Sequence, residues 1–216
     1  MKVGVLGSGD VGKRLAGGFA SRGHDVMVGS RNPGNPDLKK WASTVKGKVA
    51  LGSLAEAAKH GTLLVLAIHG DAALDAIKLA GPANFSAKVL IDVTNPLDFS
   101  KGATPTLFVG TTDSLGERVQ RAVPSAKVVK AFNTVGSLQM VDPHVKGQFR
   151  LELLIAGNDT GAKAQVNEIA KSFGWAGTID AGGIDAARGL EAMVPIWLQV
   201  GAGLNTWSHL WMVARD

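Results

Sequence analysis

Glycine spacing near the N-terminus is the first chemically informative feature of the chain. A G-x-G-x-x-G segment follows an apolar run and opens a helical pattern. In such a segment the first glycine permits a tight turn, the second lets the backbone approach a pyrophosphate, and the third allows a helix to pack closely on a strand. The N–H groups at the start of the helix can then bind phosphate oxygens. We therefore predict a dinucleotide site that begins with six consecutive residues: Gly7, Ser8, Gly9, Asp10, Val11 and Gly12.

The end of the second apolar run indicates which dinucleotide binds. Val28 and Gly29 are followed by Ser30, Arg31 and Asn32, and no acidic residue stands among them. Sites for NAD usually have Asp or Glu at this point, where the carboxylate accepts hydrogen bonds from the adenine ribose. A hydroxyl and a guanidinium suit a ribose 2′-phosphate instead, because both donate hydrogen bonds and Arg31 can also stack on the adenine. We predict NADP(H); a solvated arginine in a surface turn is the alternative.

These residues need a sheet to position them. Apolar runs rich in Val, Ile and Leu alternate with helical patterns, which is typical of a parallel sheet covered on both faces. The predicted strands are Lys2–Leu6, Asp25–Val28, Lys48–Leu51, Leu63–Ile68, Lys88–Val93 and Lys127–Ala131. The clearest predicted helices are Val11–Arg22, Leu54–Lys59, Ala72–Ala80 and Ser114–Ala122. The sequence therefore predicts an α/β fold with a doubly wound, mostly parallel Rossmann sheet.

The last third of the chain has a different pattern. A strand, a helix and a second strand are predicted at Leu151–Ala156, Ala162–Phe173 and Thr178–Asp180. A helical tail over Ile184–Ala214 follows, interrupted or kinked near Pro195 and near Gly201–Gly203. We predict an NADP-binding Rossmann domain over residues 1–145 and a C-terminal strand and helix extension over residues 146–216, packed on that domain.

Composition excludes several other kinds of site. The chain has no cysteine, so disulfides, thiolate metal sites and a catalytic cysteine are excluded. The five histidines are scattered, and we expect no metal. We see no secretory signal and no stretch apolar enough to span a bilayer, so we expect a cytoplasmic protein without a membrane partner. The net charge of +5 comes from dispersed Lys and Arg, which favours a small anionic, nucleotide-like substrate over nucleic acid.

Five segments in order resemble a known family. They are Gly7–Gly12, Val28–Pro33, Ile91–Pro96, Val128–Thr134 and Asp180–Met193. Together they resemble the NADPH:coenzyme F-420 (deazaflavin) oxidoreductases of archaea and bacteria. They also resemble the cytosolic NADPH-binding domain of the six-transmembrane (STEAP-type) metalloreductases. The resemblance covers nearly the whole chain. It implies an NADP(H)-dependent oxidoreductase that transfers a hydride directly between NADP(H) and a flavin or deazaflavin.

The same resemblance implies where the cofactor lies. Residues 8–11 would wrap the pyrophosphate, and Ser30 and Arg31 would hold the 2′-phosphate. Further contacts toward the nicotinamide are implied for Ala67, Ile68, His69, Asn95, Pro96 and Ala131. His69 is also a candidate proton donor to a reduced acceptor, with a partly exposed histidine at the start of a helix as the alternative.

Alternation along the sixth strand adds Asn133 to the predicted site. If side chains alternate across the sheet, Ala131 and Asn133 share one face, and Lys130 and Phe132 share the other. A small residue lets the nicotinamide approach, so we expect Ala131 and Asn133 in the cleft and interpret Lys130 as structural.

Two features of the tail have ordinary interpretations. Arg188 and Glu191 have helical spacing and are predicted to form an intrahelical ion pair. The large side chains Met193, Trp197, Trp207 and Trp211 are interpreted as core or dimer contacts, with a surface for a planar ring as the alternative. We expect a homodimer.

Two other functions are compatible with these residues. An NADPH-dependent imine or carbonyl reductase needs a proton donor in the cleft, and His69 is the candidate. A non-catalytic NADP(H)-sensing module would bind the nucleotide without turnover. Direct hydride transfer between stacked rings needs orientation more than an acid–base triad, and the absence of tyrosine excludes a Tyr-x-x-x-Lys pair.

Overall fold

The computed structural model describes residues 1–147 and 149–214. Over these residues the strands are β1 (Lys2–Leu6), β2 (Asp25–Gly29), β3 (Lys48–Gly52), β4 (Leu63–Leu66), β5 (Val89–Asp92), β6 (Leu97–Asp98), β7 (Thr106–Leu107), β8 (Lys127–Ala131), β9 (Glu152–Gly157) and β10 (Gly177–Asp180). The α-helices are α1 (Asp10–Ser21), α2 (Pro36–Thr44), α3 (Leu54–His60), α4 (Ala73–Ala80), α5 (Leu115–Ala122), α6 (Thr160–Ser172) and α7 (Ala187–Leu204). None of these helices is long and apolar enough to cross a membrane.

Eight strands form one sheet in the order β10-β9-β8-β5-β4-β1-β2-β3. All neighbours are parallel except β8 and β9, which are antiparallel. The α/β fold with a doubly wound, mostly parallel sheet is confirmed, and all eight sheet strands lie within two residues of their predicted bounds. The carboxyl ends of β2, β1, β4, β5 and β8 therefore meet at one edge, where ligands of such sheets bind.

Both faces of the sheet are covered by helices. Val3 and Val5 pack on one face with α1 and α6, and Leu64 and Leu66 pack on the other with α3, α4 and α5. All four residues of β4 are buried, as expected for a strand between two helical layers. Packing on both faces fixes the strand ends that carry the site.

Two elements were not predicted. Helix α2 begins after Asn35, whose side chain accepts a hydrogen bond from the Leu38 N–H, and Pro36 occupies the first turn. Leu38 is the buried residue of this helix, so its apolar periodicity is weak. The hairpin of β6 and β7 has only two residues in each strand, which is too short for an alternating pattern.

The predicted helix over Ile184–Ala214 is wrong in its extent. Helix α7 runs unbroken through Pro195 and ends at Leu204, because Asn205 adopts a left-handed conformation with φ of 50°. The chain then turns back on the helix. Trp197 Nε1 donates to the carbonyl oxygen of His209 at 3.2 Å, and the two rings stack with centres 4.4 Å apart. Stacking on Trp197 therefore holds the segment beyond the helix against it.

Candidate dinucleotide-binding site

The glycine turn between β1 and α1 leaves no room for side chains where backbones meet. Gly7 has φ of +123°, and a Cβ there would clash with the carbonyl oxygen of Ala67. A Cβ at Gly12 would clash with the carbonyl oxygen of Gly7. A Cβ at Gly9, in contrast, would meet nothing within 4 Å. The first and third glycines thus serve packing, and the second borders open space that a pyrophosphate can fill.

The start of α1 is free to bind an anion. Gly9 precedes the helix, and no side chain of the described residues caps it. The first N–H groups of a helix have no partner within the helix, and they carry its positive dipole end. Gly9, at which a Cβ would meet nothing within 4 Å, directly precedes these N–H groups. The local fold is therefore compatible with the phosphate site that the motif predicts, and that site stays a prediction.

The tip of β2 carries the predicted contacts to a 2′-phosphate. Ser30 Oγ accepts hydrogen bonds from Ser8 Oγ and from the Asn32 N–H, both at 3.1 Å. Its own hydroxyl proton can therefore point to a ligand. Arg31 is exposed, and it forms no hydrogen bond or ion pair with the rest of the described chain. A free guanidinium beside an oriented hydroxyl matches the demands of a phosphate dianion.

A cleft of about 620 Å³ lies over the carboxyl ends of β2, β1 and β4. Nine predicted site residues line this cleft: Gly7, Ser8, Gly9, Ser30, Arg31, Asn32, Ala67, Ile68 and His69. Further lining residues, which the sequence did not indicate, are Gly29, Leu54, Asp71, Ala72, Asp75, Ala76 and Leu79. Most of these residues lie on α3 and α4. The sequence contains one signal that could have indicated them: Leu79 is a large apolar residue that interrupts the polar face of its helix, and its side chain is exposed.

Seven predicted residues lie outside the lining of this cleft. Asp10, Val11 and Gly12 form the first turn of α1, behind the glycine loop. Asn95 and Pro96 follow β5, and Ala131 and Asn133 lie at the end of β8. A Cβ at Gly70, one residue after His69, would clash with the carbonyl oxygen of Asn95. The predicted residues that follow β5 and β8 therefore begin next to Gly70, where the cleft ends.

Asn95 and Asn133 form a reciprocal amide pair. Asn95 Nδ2 donates to the Asn133 carbonyl oxygen at 2.9 Å, and Asn133 Nδ2 donates to Asn95 Oδ1 at 3.0 Å. Asn133 Nδ2 also donates to the Leu190 carbonyl oxygen at 3.1 Å. Asn133 Oδ1 is buried and has no hydrogen-bond partner among the described residues. A ligand N–H, such as that of a carboxamide, would satisfy this acceptor.

The alternation used to predict Ala131 and Asn133 stops at Ala131. Strand β8 ends there, and Phe132 has φ of +61°, so the backbone turns before Asn133. Ala131 is fully buried within the core on the α1 and α6 face. The contacts predicted for these two residues with a cofactor stay predictions.

His69 lies at the far end of the cleft from Arg31. It precedes the short 3-10 turn Gly70–Ala72, and its ring makes no hydrogen bond or ion pair within the described chain. The imidazole is therefore available to a ligand, and its role as a proton donor stays a prediction.

A fully buried ion cluster lies beside the Asn95–Asn133 pair. Lys130 Nζ is 2.8 Å from Asp92 Oδ2 and 2.8 Å from Glu191 Oε1, and it donates to the Thr94 carbonyl oxygen at 2.7 Å. Burial by itself lowers the pKa of the Lys130 ammonium, but the two carboxylates outweigh burial and raise that pKa above its usual value. Lys130 therefore stays charged, and its hydrogen bond to Thr94 and its ion pairs with Asp92 and Glu191 join three separate segments.

The predicted ion pair between Arg188 and Glu191 is wrong. Both Glu191 oxygens accept backbone hydrogen bonds from the start of α5, from Leu115 and Gly116 at 2.9 Å. Arg188 Nε donates to Glu117 Oε2 at 2.8 Å, and this contact lowers the pKa of the Glu117 carboxyl. Arg188 and Glu191 thus each pair with groups of α5 and not with each other.

Known proteins resemble this chain in sequence and in fold. The family model described as NADP oxidoreductase, coenzyme F420-dependent, matches residues 2–96, from β1 to the residues that follow β5. The metalloreductase STEAP3 of Rattus norvegicus is 29% identical over 200 residues, 91% of this chain and 38% of that protein. The chain thus spans about two fifths of the length of that relative. The F420-dependent NADP reductase of Methanothermobacter marburgensis is 29% identical over 93% of this chain and 92% of its own.

A solved structure gives the fuller match. A protein of Arthrobacter sp. FB24, provisionally named an F420-dependent NADP reductase, is 40% identical over 100% of both chains, with a TM-score of 0.95. The chain belongs to the F420-dependent NADP reductase family. It is accordingly an NADP-dependent oxidoreductase with a Rossmann-type fold.

Substitutions at the tip of β2 test the phosphate contacts in this family member. Arg31→Ala should weaken NADPH binding by about 1.5–3 kcal/mol, or roughly ten- to a hundredfold, because it removes charged hydrogen bonds to the 2′-phosphate. Ser30→Asp should weaken NADPH further by repulsion. Titration calorimetry with NADPH and NADH measures both effects. NADH binding should change by less than about twofold in Arg31→Ala, since NADH lacks the phosphate; an equal loss for both nucleotides would contradict the assignment.

The buried cluster makes a prediction about stability. Lys130→Met should lower the free energy of unfolding by about 3–5 kcal/mol, because it leaves two carboxylates buried without their cation. Arg188→Met, which removes an ion pair between a partly exposed Arg188 and a mostly buried Glu117 on the same helix interface, should cost less, about 1 kcal/mol. Urea unfolding followed by tryptophan fluorescence compares the two variants. Similar losses in both would mean that the cluster is no more important than an ordinary surface pair.

Proposed function

We propose that the protein transfers a hydride directly between NADP(H) and a flavin or deazaflavin, with coenzyme F-420 as the first candidate. The observation that carries this proposal is the polarity of the site along the strand ends. One end has the free Arg31 guanidinium and the oriented Ser30 hydroxyl. The other end has the Ile68 side chain and the amides of Asn95 and Asn133. Such a site binds phosphate at one end and can orient an uncharged ring at the other.

The chain's own groups account for binding and orientation of the dinucleotide. The N–H groups at the start of α1 bind the pyrophosphate beside Gly9, and Ser30 and Arg31 bind the 2′-phosphate. The unpartnered Asn133 Oδ1 can accept a hydrogen bond from the carboxamide. NADPH, when bound, supplies a hydride from its nicotinamide ring to the acceptor ring. Alignment of the two rings and exclusion of water are then the tasks left to the protein.

Reduction of the acceptor also requires a proton, and His69 is the candidate donor. A hydride carries two electrons and one proton, so an oxidised flavin or deazaflavin takes up one more proton when it is reduced. The His69 ring lines the cleft and is free of other partners in the described chain. It can deliver this proton, although solvent can do so as well.

Charge and exposed apolar surface support the proposed partners. The net charge of +5 favours an anionic, nucleotide-like acceptor through long-range attraction. The exposed side chains of Ile196, Leu204 and Trp207 at the end of α7 suit contact with a second copy of the chain. A small anionic acceptor and a homodimer are thus part of the proposal.

An acceptor assay tests the proposed reaction. The purified protein and NADPH are mixed separately with coenzyme F-420, FMN, FAD and riboflavin, and with a cyclic imine and a ketone. We expect NADPH absorbance to fall with coenzyme F-420 or with a flavin. Deuterium placed at the transferred position of NADPH should be retained in a reduced deazaflavin, because the hydride then forms a C–H bond that does not exchange with water. A reduced flavin carries the hydride on nitrogen and loses the label to water, so for flavins direct transfer is followed by the slower reduction with deuterated NADPH.

Arg31→Ala serves as the control for this assay. It should need more NADPH to reach the same rate, because it lacks the proposed contact with the 2′-phosphate. Its maximal rate should be retained, because the acceptor end of the site is unchanged. Oxidation of NADPH with the imine or the ketone alone would favour the imine or carbonyl reductase. NADPH binding without oxidation by any acceptor would contradict the proposal and favour a sensing module.

A further inference from the structure

The cluster of Lys130, Asp92 and Glu191 has no role in the cleft described above. None of its three residues lines that cleft, and each is at most 1% exposed. Apolar residues of similar volume often stabilise a core as well as a buried ion cluster does. The groups that hydrogen-bond to this cluster therefore indicate what it holds in place.

The cluster fixes Thr94 at every polar atom. Lys130 Nζ donates to the Thr94 carbonyl oxygen at 2.7 Å. Asp92 Oδ1 accepts from the Thr94 N–H at 2.9 Å and from Thr94 Oγ1 at 2.7 Å. Because both peptide groups of Thr94 are held, the direction in which the chain enters Asn95 is set by the cluster.

The same ammonium also holds the other side of the Asn95–Asn133 pair. Lys130 contacts Glu191 on α7, and the neighbouring residue, Leu190, provides the carbonyl oxygen that accepts from Asn133 Nδ2 at 3.1 Å. The ammonium contacts β5, the segment after β5, and α7: it forms ion pairs with Asp92 and Glu191 and donates a hydrogen bond to the Thr94 carbonyl oxygen. Both amides of the pair are thus attached to segments that Lys130 joins.

The position of this pair identifies the half of the dinucleotide that it serves. The adenosine phosphate contacts lie at the end of β2, and the pyrophosphate contacts lie at the end of the adjacent β1. A dinucleotide crosses the strand ends at the point where the strand order reverses. Its second half then passes β4 toward β5 and β8, where the backbone of Asn95 abuts Gly70. The amide pair therefore lies at the nicotinamide half.

We propose that Lys130 is a positioning residue for the nicotinamide half of the cofactor. By holding Thr94 directly and Leu190 through Glu191, it fixes the Asn95 and Asn133 amides against which the nicotinamide is oriented. Contacts of the adenosine half, at Ser30 and Arg31, are independent of the cluster. The inference rests on the proposed function in assigning this end of the site to the nicotinamide.

Binding of two ligands separates positioning from general stability. NADPH contacts both halves of the site, whereas adenosine 2′,5′-bisphosphate contacts the adenosine half alone. In Lys130→Met the affinity for NADPH should fall by about tenfold, and the affinity for the bisphosphate should change by less than about twofold. Titration calorimetry measures both, and the stoichiometry of bisphosphate binding reports the folded fraction of each variant.

A second variant keeps the proposal testable if Lys130→Met does not fold. Lys130→Met combined with Asp92→Asn removes one of the two carboxylates that the first substitution leaves without their cation. It retains an amide oxygen at position 92 for the Thr94 N–H, and Glu191 keeps its two backbone N–H bonds at α5. If Lys130→Met does not fold, the double variant decides, and we expect in it the same selective loss of NADPH affinity.

Arg188→Met is the matched control. It exchanges another long cation of the α5–α7 interface for methionine, and within the described residues its partner Glu117 forms no hydrogen bond or ion pair with residues 94–96. Both affinities should stay within about twofold of the parent protein. Unchanged NADPH affinity in both Lys130 variants, or an equal loss for both ligands, would overturn the proposal.

Turnover adds a readout that a purely structural role would not move. With the acceptor found in the assay above, kcat of the folded Lys130 variants should fall by roughly ten- to a hundredfold, because misaligned rings slow hydride transfer. The isotope effect on kcat with deuterated NADPH should rise at the same time. If the parent protein reduces no acceptor, the proposed function fails, while the comparison of the two ligands still decides the role of Lys130.

Discussion

Close approach of three backbones at the end of β1 is the constraint on which the site depends. Gly7, Gly12 and the carbonyl oxygen of Ala67 meet with no space for a Cβ, so β1, β4 and the start of α1 are held in direct contact. The first N–H groups of α1 follow this contact, and no side chain of the described residues caps them. The phosphate end of the site therefore consists mainly of backbone, and it needs few side chains to attract a dinucleotide.

The opposite end of the site is built in a different way. Backbone there is irregular, since Phe132 has a positive φ and the segment after Asp92 leaves the sheet. Side chains hold it instead: one buried ammonium, two carboxylates and a pair of amides. The two ends of the site therefore differ: close backbone packing sets the end at β1, and hydrogen bonds set the end at β5 and β8. Such a division suits a cofactor whose binding energy comes from phosphates and whose chemistry occurs at the other end.

Much of the fold could be predicted from the sequence because its signals are local. Strand β4 is an unbroken apolar run, and the glycine motif requires only six residues. The sequence did not predict α2, because this helix buries few apolar residues. The prediction for the tail was wrong, because the helix continues through Pro195 and ends at Leu204, before the left-handed Asn205. It also paired Arg188 with its helix neighbour, although Glu117 on α5 offers a closer partner.

What the sequence alone determined was the order of strands and helices, the glycine turn and the Ser30–Arg31 tip, because each is encoded by residues close together in the chain. What only the tertiary structure decided was how the residues after β5 and β8 come together, at the end proposed for the nicotinamide. Asn95 and Asn133 are 38 residues apart, and Glu191 reaches the N–H of Leu115 across 76. Spacing along the chain carries no signal for contacts between elements that meet only after the sheet has formed, since burial, and not sequence distance, selects those partners.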